Sequence, residues 1–444
     1  MAGDDRAGEE TERLGGRYAK LWAASTTSAL GSGLATIAAP LLVASRTTSP
    51  LTVSAAFAVA WLPWLLFALP GGVLVDRVDR RRLMIMIDWV RVGALTVLAA
   101  ALLTGHASLV LLYAVLFVIN TGEVVFSSAS QAMIPSVVPH SRLERANGWL
   151  FGGVMLMRGM ISPPLGGFLF ALAASAPFLA NAVTYAASAV LIGLVAGSYR
   201  SPGNATRAGS RSIRAEVVEG FRWLAHQRVL RTMAVLIGLL NVTLVAATAV
   251  LVLLAKERLH LGAVGFGALF TCMAAGGLLG SVVGDRIIKA VTATWTIRIG
   301  LLIETGMHLA LATSRSAYFI GFVLFVFGVH GALWGIVGNS LRQRLTPPDM
   351  LGRVGSTTLF VAAGGNCVGA LLGGAVASTF GITAPYWVGF VVAAIVVATT
   401  WRVFDPATVA EAYTRPVPND PAPANSDEPQ PSGRLGSEPA ATTE

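Results

Sequence analysis

The sequence predicts an all-α membrane protein of twelve transmembrane helices arranged as two six-helix halves. Three observations carry this: an apolar composition, recurrent apolar runs of membrane-crossing length, and basic residues gathered in alternate loops. Only 12% of the 444 residues are charged and 54% are hydrophobic, whereas a soluble domain carries roughly 25% charged residues. The mean hydropathy is +0.67. The 48 glycines suit helices that approach one another closely in lipid.

A helix needs about 20 predominantly apolar residues to cross the hydrocarbon core. Such runs fall near 19–44, 51–75, 83–104, 108–133, 148–172, 176–198, 231–254, 263–284, 293–313, 317–341, 355–379 and 383–404. Basic loops stay on the cytoplasmic side, and here the loops separate cleanly. One side holds Arg6, Arg13, Arg17 and Lys20, then Arg77 and Arg80 to Arg82, then Arg142 and Arg145. The same side holds the arginines from Arg200 to Arg231, Arg286 and Lys289, and Arg342, Arg344 and Arg353. The other side has only Arg46, Lys256, Arg258 and Arg315, so both termini are expected in the cytoplasm.

The domain organisation follows. Residues 1–18 form a polar tail without the pattern of a cleaved signal peptide, 19–198 the first six-helix bundle and 231–404 the second. The connection 199–230 divides them, and within it Ile213, Val217, Phe221 and Leu224 share one helical face, as in an amphipathic helix on the inner leaflet. Residues 405–444, rich in Pro, Ala, Ser and acids, cannot bury a core and are expected to be disordered.

Several function classes are excluded. The net charge of +9 is spread over short loops and reads as topology rather than a nucleic-acid footprint. Cys272 and Cys367 lie in apolar runs as expected buried thiols, and no Cys/His spacing suggests a metal. No Gly-x-x-x-x-Gly-Lys-Ser/Thr loop is present, so an ATPase is not expected. No Ser/His/Asp constellation suggests an enzyme, and no cofactor is expected.

The loop after the second run reads Gly72-Val-Leu74-Val-Asp76-Arg77-Val-Asp79-Arg80-Arg81-Arg82. It resembles the signature Gly-x-Leu-x-Asp-Arg-x-Gly-Arg-(Arg/Lys) of the major facilitator superfamily, with Asp79 at the second glycine position. A narrower resemblance covers almost the whole chain. Ser130-Gln131-Ala-Met-Ile-Pro135, Leu143-Glu144-Arg145-Ala146-Asn147-Gly148, Pro163-Pro164-Leu165-Gly166-Gly167, Glu216-x-x-x-Gly220-Phe-Arg-Trp223-Leu224, Leu230-Arg231-Thr and Asn339-Ser-Leu-Arg342-Gln343 occur in order. Together they look like the drug:proton antiporter branch that includes macrolide-efflux and enterobactin-exporter-like proteins.

The resemblance implies two pseudo-symmetric bundles, alternating access and proton-driven export of a small molecule across the bacterial cytoplasmic membrane. It implies protons and membrane lipids as partners, and a monomer. Gly72 would let span two pack closely on span eleven. Asp76 would face the N-terminus of span eleven near Gly355, and Arg77 and Arg81 would join a charge network that locks the inner gate; the alternative is that these basic residues only set topology. Pro163-Pro164-Leu-Gly166-Gly167 is similar to the Gly-Pro-x-x-Gly-Gly antiporter motif, with Ser162 at its first glycine. Prolines kink a helix and the glycine pair permits a close crossing, which serves either a moving cavity wall or packing alone.

Charges near the bilayer centre are expensive and are functional candidates by default. Glu123 lies about 15 residues into span four, roughly 22 Å at 1.5 Å per residue. Arg158 lies about 10 residues into span five from the opposite side, roughly 15 Å. Equal depth on adjacent spans lets them pair, either to line a central cavity where Glu123 exchanges between Arg158, a proton and the substrate, or as a static ion pair. A second set, Glu304, His308 and His330, has the depth and chemistry for proton handling, or else consists of packing residues. Asp88 and Arg91, three apart in span three, are expected to brace the inner gate. Trp61, Trp64 and Trp89 read as interfacial anchors or as ligand-stacking residues. Two other readings remain open: a lipid or lysophospholipid flippase, and a non-transporting sensor or scaffold of the same fold.

Overall fold

The computed structural model describes residues 14–200, 221–226, 228–347 and 350–401. The expected tails and most of the connecting amphipathic helix lie outside the described residues. Among the described residues the chain is helical and contains no strand.

Among the described residues, twelve rods follow one another, besides a short helical stretch at 221–226. They are α1 (Gly16–Arg46), α2 (Pro50–Arg77), α3 (Arg80–Leu103), α4 (Leu109–Val137), α5 (Leu143–Met155, then Leu156–Ile161 and Ser162–Leu172) and α6 (Ala176–Gly193). The second six are α7 (Arg228–Ala249, then Leu251–Leu253 and Leu254–Arg258), α8 (Ala263–Val291), α9 (Ala293–Thr313), α10 (Ala317–Leu345), α11 (Leu351–Phe380) and α12 (Ala384–Thr400). Ten are long and apolar enough to cross a membrane. α12 is apolar but has 17 residues, and α9, which carries Arg298, Glu304 and His308, is not among the ten.

Local chemistry sets the starts. Ser49 accepts from the amide of Thr52 ahead of α2, where Pro50 takes the first position, and Ser108 and Ser316 cap α4 and α10 in the same way. α6 and α12 open on the same triplet pattern, Ala176-Pro177-Phe178 and Ala384-Pro385-Tyr386.

The packing repeats with a shift of six. α1 packs on α5 and α6, α2 on α4, and α3 on α4 and α6; α7 packs on α11 and α12, α8 on α10, and α9 on α10 and α12. The two most extensive contacts between the sets are α2 with α11 and α5 with α8, and the same shift converts one into the other; α7 also touches α1 and α2. The α5–α8 crossing is close enough that a side chain on Gly167 would meet the carbonyl of Ala263, and one on Gly267 the carbonyl of Pro163. That crossing lies away from the basic loops, beside the turns at 173–175 and 259–262.

The largest core also lies at this far end. It runs from Ala35 to Ala44 on α1 through Ala247 to Leu259 of α7, with Phe266, Leu311 and Tyr386, so it belongs to both sets. At the basic end the cores are separate: one holds Leu21, Met84, Met133 and Ile192, the other Met233, Leu301, Val337 and Val396. A Cβ on Gly72 of α2 or Gly355 of α11 meets nothing within 4 Å. The close packing expected of Gly72 is therefore not made in this conformation. The two sets meet at the far end and part at the basic end.

Candidate substrate site

Between the sets lies a cavity of about 610 Å³, a size suited to a drug-like molecule. Ser32, Thr36, Asn120, Glu123 and Arg158 supply a polar wall from α1, α4 and α5, and Leu244, Val245, Phe270, Met273 and Leu359 face it from the second set. Trp61 and Trp64 line this cavity, which fits the ligand-stacking alternative for them, whereas Trp89 is exposed and does not line it.

Glu123 is the centre of the polar wall. Its Oε1 pairs with Arg158 Nη2. Its Oε2 accepts from Arg91 Nη2 at 3.1 Å and from Ser32 Oγ at 2.9 Å, and Ser32 in turn lies 3.0 Å from the Tyr185 hydroxyl. Arg91 is fully buried, and its Nη1 donates to Asp88 Oδ1 at 3.2 Å and Ser28 Oγ at 3.3 Å. Its guanidinium also lies over the rings of Tyr185 and Phe126, 4.7 and 5.4 Å from their centroids. A buried guanidinium is tolerable only when paired and bonded in this way.

Asp88 and Arg91 thus form the expected i,i+3 pair, but the structure places it in the network around Glu123 instead of at the inner gate. Space decides it. Gly122, the residue before Glu123, leaves the room that Arg91 fills, since a Cβ there would overlap Arg91 Nε.

Arg158 reaches the cavity because of the helix that carries it. Pro163 and Pro164 lack amide hydrogens, and the turn Leu156–Ile161 just before them opens to π geometry. Ser162 Oγ lies 2.7 Å from the Met157 carbonyl and 2.8 Å from the Leu30 carbonyl of α1. The serine at the motif's first glycine thus supports the irregular turn and ties it to α1. Gly166 sits against Leu34 and Ile37 of α1, and Gly167 against α8.

The second expected set lies elsewhere. Glu304, His308 and His330 are buried where α9 packs on α10 and α12, and none lines the cavity. His308 fills the space beside Gly389 of α12, His330 that beside Gly300 of α9, and both ring nitrogens of His308 lack a partner among the described residues. Matching depth did not bring these residues to the cavity, because they face into their own half.

The expected inner gate falls only partly within the described residues. The Asp76 side chain lies outside the described part of the structure, and Arg77 is exposed. Arg81 does not join a cross-half network; it donates to the carbonyls of Ile192 and Gly193 at the C-terminus of α6, where unpaired carbonyls attract a cation. The departure at Asp79 has its own role. Its carboxylate caps α3 by accepting from Arg82 N at 2.9 Å, and also accepts from Ser198 Oγ at 2.7 Å and Tyr199 N at 2.9 Å. Burial pushes the Asp79 carboxyl up, but these three bonds and the Arg82 charge outweigh it and hold the group below the usual carboxylate range. The available signal was an Asp just ahead of a helix, which the predicted start near residue 83 concealed.

Paired helices that repeat with a shift of six, around a central cavity with buried charges, are the architecture of a multi-pass membrane transporter. The model of the MFS_3 family, described as transmembrane secretion effector, matches residues 15–425, and the chain belongs to that family. It is similar to macrolide efflux protein A of Streptococcus pyogenes, 22% identical over 375 residues, covering 82% of this chain and 90% of that one. It is also similar to the enterobactin exporter EntS of Citrobacter koseri, 27% identical over 361 residues, covering 78% and 82%. Its fold matches a bacterial homologue of the iron transporter ferroportin in the inward-facing state, with a TM-score of 0.65 at 16% identity, over 90% of this chain and 99% of that one.

Proposed function

We propose that this chain is a secondary transporter that exports a small drug-, antibiotic- or siderophore-like molecule across the bacterial cytoplasmic membrane by proton antiport. The basic end faces the cytoplasm, following the charge asymmetry of the loops. The cavity then opens inward, with its outer side closed by the core shared between the halves. Alternating access requires the halves to part at the far end and close at the basic end, where Gly72 and Gly355 now face open space.

The observation that carries this reading is the sharing of Glu123 between Arg91 and Arg158 on a cavity wall. A carboxylate that keeps Arg91 and Ser32 on one oxygen can exchange Arg158 for a proton or a substrate on the other without becoming an unpaired buried charge. The names of the macrolide efflux protein and of the enterobactin exporter, both relatives, support the direction.

The test is compound accumulation in cells that express the chain, with and without a protonophore. Lower accumulation that the protonophore restores is expected, and Glu123→Gln is expected to remove at least about tenfold of the efflux rate. Full efflux by Glu123→Gln would exclude the proton role of this residue. Lysophospholipid movement without efflux would favour the flippase instead.

A further inference from the structure

We propose that the cavity selects amphiphilic organic anions, with the anionic head on Arg158 and an apolar body against Phe57, Trp61 and Trp64. This rests on the transporter reading and names its substrate class. The reason is an imbalance in unused bonding capacity at the polar wall. Both oxygens of Glu123 are engaged, Oε1 by Arg158 and Oε2 by Arg91 and Ser32. Arg91 is fully buried, so it is out of a ligand's reach, and both of its Nη atoms are engaged, by Asp88, Ser28 and Glu123. Arg158 differs in access and in pairing: its side chain is 39% exposed and lines the cavity, and among the described residues only its Nη2 is engaged.

The free functional group in the cavity is thus a cation with donors to spare. An anionic head fits that edge, because a planar guanidinium binds a carboxylate by two parallel bonds. Glu123 tolerates the arrival, since Oε2 stays on Arg91 and Ser32. A cationic ligand meets the opposite situation. It would have to draw Glu123 away from two guanidiniums, and would leave Arg158 unpaired in a largely apolar cavity. The four charges of the network, Asp88, Arg91, Glu123 and Arg158, cancel, so no net negative field favours a cation. The remaining wall of Leu244, Val245, Phe270 and Met273 suits an apolar body.

The full chain in nanodiscs of zwitterionic lipid, against empty nanodiscs, is titrated by calorimetry at pH 7 with three probes of one body: 2-naphthoate, 2-naphthamide and 2-naphthylmethylammonium. Naphthoate is expected to bind at least about tenfold tighter than the amide, the scale of a charge-assisted bond, with the ammonium weakest. Arg158→Gln should reduce the anion preference to within about threefold, and Arg158→Lys, which keeps the charge, should retain the order. Unchanged melting temperature and elution profile establish that the variants fold, and the lysine variant carries the test if the glutamine variant does not. Equal or tighter binding of the ammonium, no binding of naphthoate, or a preference untouched by Arg158→Gln overturns the proposal. Protonophore-sensitive efflux that persists alongside such a result leaves the exporter reading standing. Anion preference without gradient-driven efflux removes the exporter reading and leaves the binding class.

Discussion

Lys256, on the last turn of α7, donates from Nζ to the carbonyl of Ala44 near the end of α1, 2.9 Å away, and so links the two halves at the far end. It is one of the few basic residues on the side that the loops otherwise leave uncharged. Its neighbours there are also engaged. Arg258 donates to the carbonyls of Ala312 and Thr313 that end α9, and Arg46 to that of Ala107. Three of the four exceptions to the charge asymmetry thus donate to backbone carbonyls, and the fourth, Arg315, is exposed.

Lys256→Met should therefore favour opening of the far end. A hydrogen bond from a charged donor contributes about 1.5–3 kcal/mol, enough to raise the open population about tenfold or more. Thr36→Cys, in a chain with Cys272 and Cys367 changed to Ser, reports on this through its labelling rate with an impermeant maleimide from the outer side. Faster labelling in the Lys256→Met background is expected; an unchanged rate would show that the apolar core alone keeps this end shut.

Asp79 gives a pH-dependent prediction. Its folded-state pKa is depressed, so it contributes stability that is present above the ordinary carboxylate value of about 3.9 and lost as pH falls through the lower folded value. Asp79→Asn should lower stability at neutral pH by about 1–2 kcal/mol, the scale of a helix cap. Melting temperatures of the two proteins in detergent should converge as pH drops below about 4. A gap that is constant with pH would mean that the carboxylate charge does not matter there.

The same region shows what a linear reading reaches and where it stops. Hydropathy and charge alternation located the rods because both depend on composition within a window. The bounds of α3 and α6 were missed: α3 begins at Arg80 because Asp79 caps it, and α6 ends at Gly193 so that Ser198 and Tyr199 can reach Asp79. Depth counting placed Glu123 and Arg158 at one level, where they pair. It placed Glu304 and His330 there too, but depth carries no rotational information, and those residues face α10, α12 and α9 instead of the cavity. The expected i,i+3 pair of Asp88 and Arg91 forms, but the bond from Arg91 to Glu123 was not foreseen, because the space that Gly122 leaves across the α3–α4 contact is invisible along the chain.

That space makes Gly122→Ala a sharp test of the network. The added methyl would overlap Arg91 Nε and displace a side chain whose surroundings are buried. A cost of about 1–3 kcal/mol is expected, seen as a lower melting temperature and weaker efflux. Gly152→Ala is the control, since a Cβ there meets nothing within 4 Å, and it should change neither. Equal behaviour of the two variants would place Arg91 outside the working site.

The last prediction separates the two sets of buried acids. Glu123 stands on the cavity wall between two arginines, whereas Glu304 is buried on α9 in the second half, one turn from His308, which packs against α12. A proton that drives substrate movement has to be exchanged at a group that the cavity reaches, or at one connected to it by bonded partners. His308, the titratable neighbour one turn along, has no bonded partner among the described residues and so offers Glu304 no route. Glu304→Gln should keep protonophore-sensitive efflux within about twofold of the unaltered chain, while Glu123→Gln loses it by about tenfold or more. The conservative amide preserves shape in both cases, so the difference reads ionisation rather than packing. Loss of efflux in Glu304→Gln with folding intact would assign proton handling to the second half and leave Glu123 as a static partner of its arginines.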